Sequence, residues 1–105
     1  MSEHEKYLKR MEDKRIAEPI YQLGLQNEFG KGVPQNPEKA RDLYKEAGFY
    51  NHADAWYRIG MMWKYGIGGP QSDQWANDYF LRAALKLHPE AMKEHCKYFP
   101  SSPRC

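Results

Sequence analysis

The chain repeats itself with a period of 36 residues, and this repeat limits the possible folds more than any other feature. The segment FGKGVPQNP, which begins at Phe29, returns as YGIGGPQSD at Tyr65. Residues 17–55 align on residues 53–91 without a gap, and the identical positions are Ala17, Tyr21, Gly24, Gly30, Gly32, Pro34, Gln35, Ala40, Asp42, Ala47, His52 and Ala55. A period of about 20 to 50 residues is typical of a solenoid, in which each unit buries its apolar face only against its neighbours.

Each unit has the pattern of two helices joined by a glycine-rich loop. Gly30 and Gly66 each follow an aromatic residue. They are predicted to end the first helix, because glycine enters the left-handed conformation without a side-chain clash. Asn36 as N-cap and Pro37 in the first turn favour a second helix. Its predicted core face consists of Ala40, Leu43, Tyr44 and Ala47 in one unit and Ala76, Tyr79, Phe80 and Ala83 in the other. The alanines predict that the two helices lie close together.

Both ends of the chain resemble incomplete units. Shifted by the same period, Tyr7, Leu8 and Met11 fall on the positions of Leu43, Tyr44 and Ala47, which predicts a degenerate second helix at the N-terminus. We therefore predict one domain over 1–105, divided into an N-terminal capping helix (1–16), repeat one (17–52), repeat two (53–88), a C-terminal half-repeat helix (89–99) and a tail (100–105). The predicted fold class is all-α, with about six helices.

These motifs resemble the SEL-1-like repeat. The first unit has YQLG, GKGVPQN, KARDLY and EAG, and the second has YRIG, GIGGP, WANDYF and RAA. The tetratricopeptide repeat is the alternative, since WYRIGMMW fits its opening, but its period is about 34 and it lacks the G-x-G loop. The resemblance implies a short right-handed α-solenoid that binds other proteins and has no catalytic residues of its own. A tetratricopeptide-type peptide-binding module is the alternative within this class.

Composition and charge argue against several classes of partner. Lysine and arginine number 16 against 14 acidic residues, a net charge of +2, and the two signs alternate along the chain. Nucleic acid and membrane are therefore not expected as partners. The N-terminal sequence has no apolar segment typical of a signal peptide, so a cytoplasmic location is predicted. Two cysteines near one end do not form the dense framework of a small secreted domain, so reduced thiols at Cys96 and Cys105 are expected.

The sequence gives little support for a nucleotide-binding, metal-binding or catalytic site. The glycine-rich loops do not have the spacing of a phosphate-binding loop, and no strand is predicted before them. A small metal-binding or enzymatic protein using His88, His95 and Cys96 is the alternative from a different class. Neighbouring residues on a helix point about 100° apart, which disfavours a metal shared by His95 and Cys96. No enzyme activity, metal or cofactor is predicted.

Exposed aromatic and apolar residues are the strongest candidates for a functional surface. In the family that the repeats resemble, the first helices line the concave side. In this sequence the face of these helices opposite their core stripe carries a ridge of Leu25, Phe29, Met61 and Tyr65, flanked by Gln22, Arg58 and Lys64. Trp56 and Trp75 stand where that family has polar residues, and large aromatic groups are enriched in interface hot spots. The predicted partner-binding residues are Gln22, Leu25, Phe29, Trp56, Arg58, Met61, Lys64, Tyr65 and Trp75. The alternative is that Phe29 and Tyr65 fold over their own loops.

The predicted function is that of a protein-binding module. Its partner would be a protein or peptide, and the module would act either as an adaptor or as a small inhibitor or immunity-type protein that occludes one target. A homodimer formed through the solenoid ends is a further possibility, since pairing would cover incomplete units.

Overall fold

The computed structural model describes residues 2–105, and this part of the chain contains five α-helices and no strand. The helices are α1 (Glu3–Phe29), α2 (Pro37–Phe49), α3 (Ala53–Tyr65), α4 (Asp73–Ala84) and α5 (Pro89–Tyr98). Successive helices pack against each other, so that α1 with α2 and α3 with α4 form two hairpins, and α5 adds half a unit. The all-α solenoid predicted from the sequence is confirmed. None of the helices within residues 2–105 combines the length and the apolar character needed to cross a membrane.

The helix count is five and not six because the predicted capping helix and the first helix of repeat one form a single helix, α1, of 27 residues. At the later junctions the chain turns through Asn51 and Leu87, whose φ angles are 66° and 63°. The positions one period earlier are Arg15 and Ile16, in place of Asn51 and the N-cap His52. Isoleucine has no side-chain acceptor for a helix cap, so the capping contact that His52 and His88 make at the later junctions is missing there.

The helix ends within each unit follow the sequence prediction. Gly30 and Gly66 lie in the left-handed conformation at φ 67° and 66°, and their N–H groups donate to the carbonyls of Gln26 and Met62. At the start of α2 the Asn36 side chain accepts a hydrogen bond from the N–H of Lys39. These caps satisfy backbone groups that a helix end otherwise leaves unpaired.

The core lies between the two helices of each hairpin. Tyr44 of α2 packs on Gly24 of α1, and a Cβ atom at Gly24 would lie 2.5 Å from the Tyr44 ring. The second hairpin repeats this contact, because a Cβ atom at Gly60 would lie 2.7 Å from the Phe80 ring. Ala40 and Ala76 are fully buried, as the predicted close approach of the helices requires.

Arg41 of α2 fixes the end of α3. Its guanidinium donates to the carbonyl oxygens of Met62, Ile67 and Pro70 at 2.9–3.1 Å and lies 4.2 Å above the Trp63 ring. Burial lowers the pKa of Arg41. The contact ties one hairpin to the loop of the next and so holds the last turn of α3 in place.

The C-terminal tail differs from the prediction. Cys96 and Cys105 form a disulfide with a Cα–Cα distance of 5.7 Å, so the expectation of two reduced thiols is wrong. Cys96 occupies the position of Gly24 and Gly60, one period further on, where a second helix would pack. The bond instead fastens the tail back onto α5. The sequence could not indicate this, because the pairing depends on the path of the tail after Tyr98.

Candidate functional site

The first helices of successive units, α1, α3 and α5, are joined in order by the Glu28–Arg58 and Lys64–Glu94 ion pairs, and we call the surface that they share the first-helix face. It carries Gln22, Leu25, Phe29, Arg58, Met61, Lys64 and Tyr65. Phe29 and Tyr65 occupy the same position in successive units and are 46% and 60% exposed. Gln22 is exposed, whereas Leu25 and Met61 are partly buried and supply an apolar floor. The structure therefore places two register-equivalent aromatic rings in solvent on this face.

Ion pairs join the helices beneath this face. Arg58 of α3 lies 4.0 Å from the Glu28 carboxylate of α1, and Lys64 of α3 lies 2.8 Å from the Glu94 carboxylate of α5. The two pairs use equivalent positions with the charges reversed, since Lys64 is one period after Glu28 and Glu94 one period after Arg58. The first helices are thus held in register by side chains of opposite charge.

The same cations lie over the exposed rings. The Arg58 guanidinium is 5.3 Å from the centre of the Phe29 ring, and Lys31 is 5.7 Å from it on the loop side. Lys64 is 5.2 Å from the centre of the Tyr65 ring. A cation within about 6 Å of an aromatic ring is attracted to its face. Each ring is therefore placed by a basic side chain while about half of its surface stays in solvent.

A buried hydrogen bond supports the Glu28–Arg58 pair. The Tyr44 hydroxyl donates to the Glu28 carboxylate at 2.6 Å. Burial and this hydrogen bond raise the pKa of Tyr44, so its proton stays in place at neutral pH. Burial alone would lower the pKa of Arg58, but the Glu28 carboxylate and the Tyr21 hydroxyl outweigh burial and raise it. The Tyr44 hydroxyl and the Arg58 guanidinium that face Glu28 therefore both keep their protons.

Acid should weaken the pair between α3 and α5. Burial alone would raise the pKa of Glu94, but hydrogen bonds from Lys64 and Lys97 outweigh burial and lower the pKa below its ordinary value of 4.5. A carboxylate with a lowered pKa stabilises the folded protein above the unfolded pKa, and this stability is lost as pH falls through the folded pKa. We expect Glu94→Gln to lower the melting temperature at pH 7 and to reduce the further loss between pH 5 and pH 3.

Thermal melts at both pH values test this expectation. Glu46→Gln, at an exposed position on α2, is the matched control and should respond to acid like the unaltered chain. If Glu94→Gln and the unaltered chain lose the same stability on acidification, the pair between α3 and α5 contributes nothing measurable.

Trp56 does not belong to the partner-binding surface predicted from the sequence. It is 6% exposed and stacks on Tyr79 with ring centres 5.4 Å apart. Its indole lies against Gly48, where a Cβ atom would be 2.6 Å from the ring. The prediction is wrong for this residue because the space for the indole is made by a glycine on a different helix.

Trp75 lies apart from the first-helix face. It is on α4, about half exposed, and it stacks on Trp63 and Tyr79. It lines an open groove of about 720 Å³ together with Arg82 and Phe99. The structure therefore separates the predicted site residues into the first-helix face, a core residue and this α4 groove.

The alternative site at His88, His95 and Cys96 is not assembled. Cys96 is bonded to Cys105, so its sulfur is not a free thiolate ligand. The His88 Nδ1 atom accepts the N–H of Ala91 at the start of α5, and His95 Nε2 lies 3.0 Å from the Ser102 hydroxyl. Within residues 2–105, no three histidine, cysteine, aspartate or glutamate side chains lie close enough together to hold a metal ion.

The junctions between units contain contacts that sequence reasoning only partly anticipated. His52 caps α3, its Nε2 lies 2.7 Å from the Glu18 carboxylate, and Tyr21 stacks on its ring. The junction between α4 and α5 has equivalent contacts, because the His88 ring lies 2.7 Å from the Asp54 carboxylate and stacks on Tyr57. The caps are as predicted, but the histidine–carboxylate bonds were missed. The signal was present, because histidine, tyrosine and an acid recur together with the 36-residue period.

Comparison with known proteins gives the family. The Sel1 repeat model matches residues 20–48 and 53–86. The crystal structure of a Sel1 repeat protein from Oxalobacter formigenes is similar, with a TM-score of 0.74 at 22% identity over 77% of this chain and 61% of that one. The chain thus spans less than two thirds of that protein, and the likeness shows the fold alone. A search of curated proteins finds no match. Because the family model covers more than half of the sequence, the chain belongs to the Sel1 repeat family, whose repeats generally mediate protein–protein interaction.

Proposed function

We propose that this protein captures a protein or peptide partner on the first-helix face. The observation that carries the proposal is the exposure of Phe29 and Tyr65 at equivalent positions of α1 and α3, two helices that the Arg58–Glu28 ion pair joins. Large aromatic groups with neighbouring basic side chains are typical of interface hot spots. Rings that are already placed lose little freedom on binding, so more of the contact energy becomes affinity.

The chemistry of the face indicates the character of the partner. Phe29 and Tyr65 offer apolar contact, and Lys31 and Arg58 lie beside the Phe29 ring as hydrogen-bond donors. A partner segment that combines apolar side chains with carboxylates fits this arrangement. Nucleic acid fits it less well, because Arg58 and Lys64 are already paired with the buried carboxylates of Glu28 and Glu94 beneath the face.

Two modes of action are compatible with this surface. An inhibitor or immunity-type protein would cover one target, whereas an adaptor would hold two partners at once, for example on the first-helix face and the α4 groove around Trp75. The stoichiometry of the isolated complex separates the two modes: one target in a one-to-one complex favours the inhibitor. No catalytic step is part of this proposal.

The compartment in which this binding takes place is open to a direct test. The cytoplasmic location is a prediction from the sequence, and the Cys96–Cys105 disulfide weighs against it, because such bonds persist mainly in oxidising compartments. Thiol labelling of protein taken from its native cell distinguishes the two cases, since a reducing cytoplasm would leave both thiols free.

The binding proposal is tested by affinity purification from the native cell followed by a direct binding assay with the recovered partner. We expect Phe29→Asp and Tyr65→Asp each to weaken binding by at least about 30-fold, the effect of removing a hot-spot residue. Leu85→Asp is the matched control, since Leu85 is similarly exposed but lies at the end of α4. Its affinity should equal that of the unaltered chain.

A variant at the second candidate surface completes the experiment. If Trp75→Asp abolishes binding while Phe29→Asp and Tyr65→Asp leave the affinity unchanged, the partner binds the α4 groove and the proposal is wrong.

A further inference from the structure

An arginine fills the space between α2 and the end of α3, and its contacts define a site that the chain itself occupies. Arg41 is 8% exposed, and its guanidinium lies 4.2 Å from the centre of the Trp63 ring. It donates to the carbonyl of Met62 in the last turn of α3, where the negative end of the helix dipole favours a cation. The Arg41 site therefore consists of an aromatic ring and a helix C-terminus that together hold one guanidinium.

The equivalent place in the second hairpin has a shorter side chain. Asn77 stands one period after Arg41, and Phe99 stands one period after Trp63. Asn77 and Phe99 both line the α4 groove, and Phe99 is 50% exposed. Phe99 is also the C-cap of α5, so its ring lies at a helix C-terminus. The α4 groove thus has the ring and the helix end of the Arg41 site, with an asparagine in place of the arginine.

The amide of Asn77 indicates which kind of group the groove accepts. Within residues 2–105 its buried Oδ1 atom has no hydrogen-bond partner. Buried acceptors are normally paired, so this oxygen calls for a donor from outside the chain. An asparagine amide turns readily about its Cβ–Cγ bond, because the minima of this terminal torsion are broad. A donor that enters the α4 groove can therefore reach the Asn77 amide.

The other groups of the α4 groove favour a planar cation. The Asp78 carboxylate lies 3.1 Å from Arg82, and both side chains are 43% exposed. Such an exposed pair is weak, and a carboxylate has room for a second donor group. Arg82 itself lies over the Trp56 ring, 4.9 Å from its centre, while Trp75 leaves half of its surface in solvent. Arginine suits this site better than lysine, because its guanidinium stacks on rings and presents five donors in a fixed fork.

We propose that the α4 groove binds an arginine side chain of a partner protein, in the way that the chain's own Arg41 is bound one period earlier. The guanidinium lies on the Phe99 ring at the C-terminal end of α5 and donates to the Asn77 amide oxygen and the Asp78 carboxylate. The partner for this groove is thus a protein with an arginine exposed at its surface. The proposal does not depend on partner binding at the first-helix face.

NMR titration with a capped peptide, acetyl-Gly-Arg-Gly-amide, tests the proposal. We expect saturable chemical-shift changes at the Asn77 side-chain amide, the Trp75 indole N–H and the backbone N–H of Phe99. The same peptide with citrulline in place of arginine keeps the shape of the side chain and loses its charge. It should bind at least about tenfold more weakly, because it lacks the attraction of a cation to the ring and to the carboxylate.

A variant that fills the groove from within the chain assigns the peptide to this site. Asn77→Arg supplies an arginine at the position equivalent to Arg41, and it should weaken binding of the arginine peptide by at least about tenfold. Leu85→Arg is the matched control, because it adds the same charge at an exposed position at the end of α4, outside the groove. It should bind the peptide like the unaltered chain. Circular dichroism checks that both variants are folded.

Two further variants test the ring and the independence of the two surfaces. Phe99→Leu removes the aromatic face and should weaken binding of the arginine peptide by about fivefold, the effect of losing one cation–π contact. Tyr65→Asp alters the first-helix face and should leave binding of this peptide unchanged.

Three results would each overturn the proposal. The first is the absence of saturable shifts in the α4 groove at arginine peptide concentrations up to about 20 mM. The second is equal binding of the arginine and citrulline peptides, which would mean that the groove accepts a neutral segment. The third is unchanged binding of the arginine peptide by a folded Asn77→Arg variant.

Discussion

Phe80→Ala should destabilise the protein by about 3 to 5 kcal/mol, the cost of removing a large aromatic side chain from a core. Phe80 is fully buried and packs directly against Gly60 on the facing helix of the second hairpin. Such a loss is a large fraction of the about 5 to 15 kcal/mol by which a domain of this size is stable. Chemical denaturation measures it, and Phe99→Ala, at a half-exposed aromatic residue, should cost far less.

The glycine on the opposite helix gives this prediction a second test with a definite sign. Helix propensity alone predicts that Gly60→Ala stabilises α3 by about 1 kcal/mol. The structure predicts the opposite, because the added Cβ would lie 2.7 Å from the enclosed Phe80 ring. We expect a loss of about 1 to 3 kcal/mol, typical of overpacking.

The double variant separates packing from propensity. In the Phe80→Ala background the clash is gone, so Gly60→Ala should become neutral or stabilising. Additive effects of the two substitutions would mean that the two residues do not constrain each other.

The hairpins could be predicted from the sequence because their determinants are local and repeated. Each of these determinants acts within a few residues. Glycine ends the first helices, Asn36 and Ser72 cap the second helices, and alanine lies on the buried face of the second helices. The period then placed equivalent residues on equivalent faces. The exposure of Phe29 and Tyr65 followed from the same register, while their role in binding stays a prediction.

The features that the sequence did not indicate depend on contacts between distant parts of the chain. Trp56 looked available to a partner because nothing near it in sequence reveals that Gly48 opens a slot for its indole. The Cys96–Cys105 bond depends on how the tail turns after α5. The continuity of α1 is different, since Ile16 stands where the later junctions have the capping residues His52 and His88, and the sequence contained that signal.

His52 makes two polar contacts at the junction between the two units. Its Nδ1 accepts the N–H of Ala55 at the start of α3, so its Nε2 carries the proton and donates to Glu18 of α1 at 2.7 Å. Hydrogen bonds from Gln22 and His52 lower the pKa of Glu18, which keeps the acceptor charged at neutral pH. One ring thus caps a helix and joins two units.

His52→Ala should therefore destabilise the protein by about 2 to 4 kcal/mol, which combines the loss of an N-cap with the loss of a hydrogen bond to a charged group. His52→Asn separates the two contributions, because asparagine caps a helix well but is too short to reach Glu18. It should restore about half of the loss, and Glu18→Gln should reproduce the remainder when unfolding is followed by denaturant titration. If His52→Asn is as unstable as His52→Ala, the cap contributes little and the histidine acts through the contact with α1. If His52→Asn is as stable as the unaltered chain, the bond to Glu18 contributes nothing, and the two units are held together by their apolar contacts and by Arg41.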